Sequence, residues 1–584
     1  MRAGNLKVFR KDRGVFSIPE MLYRSVSDFG SKKALTIFKG GRYVDYTYED
    51  LWEWVTGVAS GLKASGFGYR EKAAILGPNS PEWAISYLAI LTAGGICVPI
   101  DSLLKRYEFK HILKETKVKW IFLANKYLDD ILEINEELKT LKHIILFESQ
   151  GKTSKKVTTL EEMFLKGKKK KFKPVFVNPK EVAALIYTSG TTGKAKGVML
   201  THFNIVSDAA ACYKSLPIYE TDRFLSVLPM HHTFECTAGF ILPLYSGAHI
   251  TFARSLKSRD ILQDLKNAKT TVMLGVPLLF EKLYERMIKA IENAPFVKKT
   301  LIKSFLGVVG ISEKFGLQEK MAKKLFKSLR EKAGLGHLRF FVSGGAPLPP
   351  YLPKEFRKFG INLIQGYGLT EASPVLTVNH PDYPIDESVG LALPEVEVKV
   401  LNPDKDGVGE LCFKGPMVMK GYYENPEATK ASFTEDGFLK TGDLGYIDEK
   451  GYIYVCGRAK NVIVTPAGKN VYPEEVEFEL NKSPYILESL VFGYPVRGGE
   501  EVWAVIVPDY EAIDADFEGK HLTEKDIEEL IAKEVKACMS KLAMFKRVKR
   551  FIIRDEELPK TTTRKIKRHL VVPKLIADLE KNAG

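Results

Sequence analysis

YTSGTTGKAKGVMLTH, Tyr187 to His202, follows one apolar run (VAALI, 182–186) and contains another (GVML, 197–200). Between them stand hydroxyls, glycines and lysines. A Walker loop needs GxxxxGK[ST]. Here Gly190 and Gly193 are three apart, and Ala195 follows Lys194, so that reading fails. The ingredients of an anion cradle remain. Gly190 and Gly193 can turn backbone N–H groups inward. Ser189, Thr191 and Thr192 add hydroxyls, and Lys194 adds charge. Strand-like runs on both sides make this a flap between two strands, not a helix N-terminus.

The surroundings extend that strand reading. PEWAISYLAILTAGG (81–95) reads as a buried helix and ICVPI (96–100) as the next strand. KWIFLA, HIILF, FLSVLP, HITFA and TTVMLGV read as short buried strands, with helices at 202–214 and 259–267. This rhythm predicts α/β layers with largely parallel sheets to about residue 388. A lysine-rich helical stretch, roughly 278–334, leads into strand RFFVSGG. From about 389 to 459, VEVKVLN, GELCFKG and GYIYVCGR read as an antiparallel, β-barrel-like part. An α+β unit follows: helix PEEVEFELNKS, strands ESLVFGYP and EVWAVIVPD, the helix within 522–542, and strand VKRFIIRD. The expected class is therefore multidomain α/β and α+β. Residues 1–459 would form a large domain and 460–584 a small mobile cap.

Composition bounds the chemistry. At 584 residues the chain exceeds a single core. Its net charge of +15 suits a phosphate-rich ligand, an anionic membrane surface or simply a lysine-rich shell. The six cysteines form no CxxC pair, which points to a reducing, cytoplasmic setting. The N-terminus lacks the apolar core of a signal peptide, and no run reaches the ~18–20 apolar residues of a membrane span. Peripheral membrane contact stays open. The basic run LKGKKKKFKP (165–174) reads as a solvated surface loop.

Four further motifs stand in order along the chain. GYGLTEASP (366–374) offers the Tyr367 ring, the Thr370 hydroxyl and the hard oxygens of Glu371. TGDLG (441–445) puts Asp443 in a turn, where a carboxylate can take two ribose hydroxyls. Arg458, in the stretch after it, can join Asp443. LPKTTTRKIKR (558–568) is a basic, strand-like tail.

With SGGAP (343–347), these motifs resemble the adenylate-forming (AMP-binding) superfamily, over about Phe16 to Arg568. Acyl-CoA synthetases, luciferases and peptide-synthetase adenylation domains belong to it. LPMHHTFE (228–235), GVPLLFEKLYERM and the helical insertion make the chain most similar to long-chain fatty acid–CoA ligases. The resemblance implies ATP, Mg²⁺ and coenzyme A, and a fatty acid activated as acyl-AMP. It implies no nucleic-acid partner, and a homodimer would be compatible with it. Thr188, Ser189, Gly190, Thr191, Thr192, Gly193 and Lys194 would embrace the β- and γ-phosphates. Gly344, Gly345 and Ala346, with Gly366, Tyr367 and Gly368, would form the adenine slot. Thr370 would touch the α-phosphate, Glu371 hold Mg²⁺, and Asp443 and Arg458 take the ribose.

Lys565 matches the family's catalytic lysine, although Arg564 replaces the glycine usually before it. Lys460 falls at the hinge of the cap, and Gly468, Lys469 and Asn470 at the coenzyme A side. His232 matches a histidine between phosphates and acyl pocket; a packed core histidine is the competing reading. His231 and His232 are not expected to form a metal pair, because adjacent side chains diverge. Phe234, Phe240, Val276 and Phe280 are candidates for the acyl channel. The alternatives are a fatty acyl-AMP ligase or acyl-[acyl carrier protein] synthetase, and, outside catalysis, an inactive nucleotide-binding scaffold.

Overall fold

The computed structural model describes residues 3–149, 157–188, 195–313, 318–517, 522–560 and 566–583. The chain divides into two compact units. One comprises Met1–Val398, Phe413–Leu439 and Glu449–Ile453; the other comprises Lys399–Cys412, Lys440–Asp448 and Tyr454–Gly584. The second unit thus takes in parts of 389–459, because those strands pair with one another in one sheet.

The first unit holds two mixed sheets. The eight-stranded one runs in the order Gly421–Tyr422, Lys196–Thr201, Val182–Thr188, Ile96–Ile100, Lys72–Leu76, Trp120–Leu123, His143–Leu146, Val157–Thr159. Its strands from Val182–Thr188 to Val157–Thr159 are parallel. They are buried on both faces, which explains why they read as unbroken apolar runs. Helix Pro81–Thr92 is buried on nearly every side, as an all-round apolar sequence demands.

Val182–Thr188 and Lys196–Thr201 pair antiparallel, with Thr188 opposite Lys196, so the two strands expected on either side of the flap are present and paired. Residues 189–194 lie outside the described residues. Thr201 then caps helix His202–Ser215, its side chain accepting from the Asn204 N–H.

The nine-stranded sheet runs Leu391–Ala392, Val375–Val378, Asn362–Gly368, Phe340–Ser343, Val272–Gly275, Arg223–Ser226, His249–Phe252, Lys33–Lys39, Arg42–Thr47. Strands Asn362–Gly368 through Lys33–Lys39 are parallel. The lysine-rich stretch resolves into helices Pro277–Glu292, Phe296–Glu313, Gln318–Leu325 and Lys327–Lys332, packed over a cluster that includes Phe280, Val309, Phe326 and Phe341.

The basic run departs from a plain loop. Helix Leu160–Lys168 covers its first residues, and Gly167 is buried against a neighbouring helix. A Cβ there would meet the Gly57 carbonyl oxygen at 1.8 Å, so only glycine fits. Lys168 to Lys171 are exposed, as the solvated reading requires.

In the second unit, Glu397–Leu401, Gly409–Lys414, Leu439–Ile447 and Ile453–Arg458 form a four-stranded sheet in that order. Strands Ile486–Val496 and Gly499–Pro508 form an antiparallel hairpin, and Arg550–Ile553 adds in parallel. Alternation fills both faces. Val491, Ala504 and Ile506 pack with helices Pro473–Leu480 and Glu524–Met539; Leu490, Phe492, Trp503 and Val505 pack with helix Arg568–Ala583.

Candidate active site

In the first unit, the candidate residues follow the carboxyl ends of adjacent parallel strands. Val227–His232 follow Arg223–Ser226, Val276 follows Val272–Gly275, Gly344–Ala346 follow Phe340–Ser343, and Thr370 and Glu371 follow Asn362–Gly368. Open α/β sheets bind ligands at this edge. Gly344 N–H donates to Gly275 O at 3.1 Å, tying two of these turns together.

The Phe234 ring lies directly on Gly344. A Cβ at residue 344 would come within 2.9 Å of that ring. Gly345 has φ +81 and lies beside Val276. The adenine-slot glycines and two acyl-channel candidates are therefore neighbours. Phe240 and Phe280 sit deeper. Phe240 is enclosed with Trp83 and Tyr87, and Phe280 with Phe341, and both are fully buried. Tyr367 is half-buried within strand Asn362–Gly368, its ring 5.9 Å from that of Phe413.

His231 and His232 converge, against expectation. His231 Nε2 lies 3.2 Å from Asp101 Oδ1, and His232 Nε2 lies 4.0 Å from Asp101 Oδ2. The turn between Pro229 and His232, closed by His232 N–H to Pro229 O at 3.1 Å, folds the adjacent rings onto one carboxylate. The three ligand atoms lie within 4.8 Å of one another, a spacing that could admit a cation. The next residue, Thr233, donates to the Thr370 hydroxyl at 3.5 Å. Asp101 follows strand Ile96–Ile100. That strand-end position was the signal that could have revealed it.

Glu371 is oriented by groups that no motif announced. Tyr422 O–H donates to its Oε1 at 2.8 Å, and Met419 N–H donates to its backbone carbonyl at 2.8 Å. Lys196 Nζ stands 5.1 Å from the Tyr422 ring centre. The Glu371 carboxylate and the hydroxyl of its sequence neighbour Thr370 are hard oxygen donors, the type that fits Mg²⁺.

Glu235, on the π-helix Phe234–Ile241, is another residue the sequence reading passed over. It is almost wholly buried, and burial pushes its carboxyl up to about 8. Wide helical turns of this kind cluster at functional sites.

In the second unit, Arg458 Nε pairs with Asp443 Oδ1 at 2.8 Å, and Arg458 Nη1 donates to Thr441 O at 2.9 Å. The expected partnership is therefore present. Asp443 is not in a turn, however. It lies inside strand Leu439–Ile447, whose alternating burial points it inward. Gly442, with φ +71, supplies the local deviation that mimics a turn in sequence.

Lys460 sits in the short 3₁₀ turn Ala459–Asn461. Its pKa is lowered by partial burial and by Arg458 and Arg568. Gly468, Lys469 and Asn470 are exposed at the turn joining Ile463–Val464 to Asn470–Val471. Lys565 and Arg564 lie outside the described residues. Their flanks are fixed: Lys560 bridges Ile566, and Lys567 N–H donates to Pro559 O at 2.8 Å.

The chain is similar to known proteins over most of its length. Residues 22–423 match the AMP-binding enzyme family, and residues 475–565 match the AMP-binding enzyme C-terminal domain. The chain is 31% identical over 500 residues to the human long-chain-fatty-acid–CoA ligase ACSBG2, covering 82% of this chain and 74% of that one. It is 28% identical over 642 residues to the chloroplastic long-chain-fatty-acid–[acyl-carrier-protein] ligase AEE15 of Arabidopsis thaliana, covering 97% and 86%. Among solved structures, ATP-bound MatB from Rhodopseudomonas palustris superposes with a TM-score of 0.75 at 27% identity, covering 96% of this chain and 99% of that one. With its large N-terminal α/β domain, small C-terminal domain and matches over most of its length, the chain belongs to the AMP-binding enzyme family.

Proposed function

We propose that the protein is an ATP-dependent acid–thiol ligase that converts a medium- to long-chain fatty acid to acyl-AMP and then to acyl-CoA. The observation that carries the reading is the strand-end constellation. Gly344–Ala346, Thr370 and Glu371 follow neighbouring parallel strands, and Thr233, the residue after the histidine turn, donates to the Thr370 hydroxyl. Relatives named as long-chain fatty acid–CoA ligases support the substrate class.

The chemistry needs positioning and charge neutralisation more than covalent help. A carboxylate oxygen attacks the α-phosphorus, and the bond to pyrophosphate breaks. A thiol then attacks the acyl carbonyl, and AMP leaves. Gly344 and Gly345 let the adenine approach the backbone. Asp443, held by Arg458, accepts from the ribose diol. The 188–194 flap contacts the leaving pyrophosphate. Glu371, with Thr370, would hold Mg²⁺, which supplies charge neutralisation on the phosphates. Lys565 places an ammonium at the attacking carboxylate and α-phosphate. His232, turned toward Asp101, borders the acid.

The six cysteines, none of them in a disulfide, suit a reducing compartment, cytoplasmic in our reading. An acyl carrier protein is the second reading for the acceptor, favoured by the Arabidopsis relative. The test supplies palmitate and ATP and measures AMP and pyrophosphate. AMP release dependent on coenzyme A supports the proposal. Dependence on acyl carrier protein transfers it to the second reading, and no pyrophosphate with any acid overturns both.

A further inference from the structure

Helix Phe296–Glu313 carries two apolar faces where a surface helix needs one. On one face Ile302, Phe305, Leu306 and Val309 join the core cluster of the first unit, which fixes how the helix is rotated. On the other, Val297, Leu301, Val308 and Ile311 fall within about 80° of arc, at 100° per residue. Their exposures are 77%, 51%, 44% and 64%, and Phe296 beside them is 83% exposed. The stripe runs from Val297 to Ile311, a rise of about 21 Å. Isolated exposed aliphatics are ordinary, but an aligned row of four large ones is not.

Charge selects among the occupants. Residues 296–332 carry ten Lys or Arg against three Asp or Glu. Lys303 is exposed about 120° to one side of the stripe centre, and Lys298, about 100° to the other, is exposed at the helix start ahead of the core-packed residues on that side; long stems can lift both ammonium groups while the aliphatics go deeper. Lys320, Lys323 and Lys324 are exposed on the next helix, Gln318–Leu325. A second copy of this chain would bring the same basic surface to a two-fold contact and be repelled. An aliphatic centre with lysine edges matches the way an interfacial helix lies on anionic lipid.

We infer that the outer face of Phe296–Glu313 docks the enzyme on an anionic bilayer surface, with Val297, Leu301, Val308 and Ile311 inserted among the acyl chains. No helix among the described residues is long and apolar enough to cross a membrane, so the contact is peripheral. The inference needs only this surface and stands whichever thiol accepts the acyl group.

The test is vesicle sedimentation of the full chain, with phosphatidylcholine alone or mixed with phosphatidylglycerol. The protein binds the mixed vesicles, more weakly at high salt. Val297→Ser/Leu301→Ser/Val308→Ser/Ile311→Ser lowers that binding about tenfold or more, while thermal unfolding and AMP formation from a water-soluble short acid stay unchanged. Lys298→Glu/Lys303→Glu, which leaves the apolar residues intact, weakens binding to mixed vesicles alone. Absence of binding to mixed vesicles, or equal binding by the serine variant, overturns the inference. So does a serine variant that instead loses binding to purified acyl carrier protein, or changes oligomeric state in gel filtration.

Discussion

Arg568 holds Glu477 inside the second unit. Its Nη2 pairs with Glu477 Oε1, and its Nη1 donates to Val491 O at 2.7 Å. Glu477 Oε1 also accepts from Val491 N–H at 2.6 Å. On the other side, Lys560 pairs with Glu488 at 2.7 Å, and Leu558 N–H donates to the same carboxylate. Both flanks of 561–565 are thus pinned to the hairpin strand Ile486–Val496. Both side chains are largely but not fully buried, and burial pushes the Glu477 carboxyl up to about 7, so removing Arg568 costs less than the roughly 3–5 kcal/mol of a fully buried pair. Arg568→Leu is therefore expected to destabilise the C-terminal unit by a few kcal/mol. It should slow pyrophosphate exchange far more than thiolation of supplied acyl-AMP. Equal slowing of the two half-reactions in folded Arg568→Leu would remove Arg568 as the positioning residue for Lys565.

Phe234 and Gly344 make a second coupled pair, through the ring that rests on the glycine. Gly344→Ala forces the Phe234 ring aside by several tenths of an ångström. The expected outcome is a KM for ATP raised about tenfold and an altered ranking of acid chain lengths. Adding Phe234→Leu should restore much of the loss, because a smaller side chain gives way. Additive losses in the double variant would show that the contact is not what limits the site.

The residues of the candidate site differ in how readily the sequence shows them. Lys565, Glu371, Asp443 and Arg458 sit in short motifs whose residue types announce phosphate and ribose chemistry. The buried parallel strands read correctly because strands covered on both faces must be continuously apolar. Asp443 was misplaced because Gly-Asp looks like a turn, while its neighbours Leu439 and Ile447 belong to one long strand. Asp101 and Tyr422 reach the site only through packing between segments more than fifty residues apart, which no local pattern encodes. The histidine pair failed for a geometric reason. The sequence shows adjacency but not the turn that folds both rings toward one carboxylate.

Tyr422 gives the plainest test of how Glu371 is held. Its hydroxyl donates to one carboxylate oxygen and so fixes the orientation of the group proposed to hold Mg²⁺. Tyr422→Phe should weaken the Mg²⁺ dependence of acyl-AMP formation several-fold, with kcat at saturating Mg²⁺ little changed. Glu371→Gln should lower kcat by about a hundredfold or more at any Mg²⁺ concentration. A Tyr422→Phe enzyme with an unaltered Mg²⁺ titration would show the hydrogen bond to be only structural.

Glu235 predicts a pH dependence of stability. Burial raises its folded-state pKa from about 4.5 to about 8. The folded chain therefore keeps a proton that the unfolded chain has lost. The resulting penalty is absent below about pH 4.5, grows as pH rises, and is complete above about pH 8. Glu235→Gln should flatten that slope and gain about 1–3 kcal/mol at pH 8 relative to its effect at pH 5. Urea unfolding at the two pH values reads the difference directly. Parallel wild-type and variant pH profiles would show that the carboxyl ionises as freely in the fold as outside it.

Lys460 is the residue at which two chemistries on one site should come apart. It lies two residues beyond Arg458, in the short turn Ala459–Asn461 that leads from the four-stranded sheet toward Ile463–Val464. Hinge positions absorb backbone change, and a proline fixes φ near −65° and removes the N–H. If this turn must change to exchange Lys565 for the Gly468–Asn470 turn, Lys460→Pro leaves the first half-reaction nearly intact. Pyrophosphate exchange should then stay within about twofold of wild type, while acyl transfer to coenzyme A falls about a hundredfold or more. Lys565→Ala should give the opposite pattern, losing exchange while still thiolating supplied acyl-AMP. The two variants together separate a hinge from a merely fragile turn, since a fragile turn would depress both half-reactions in Lys460→Pro alike.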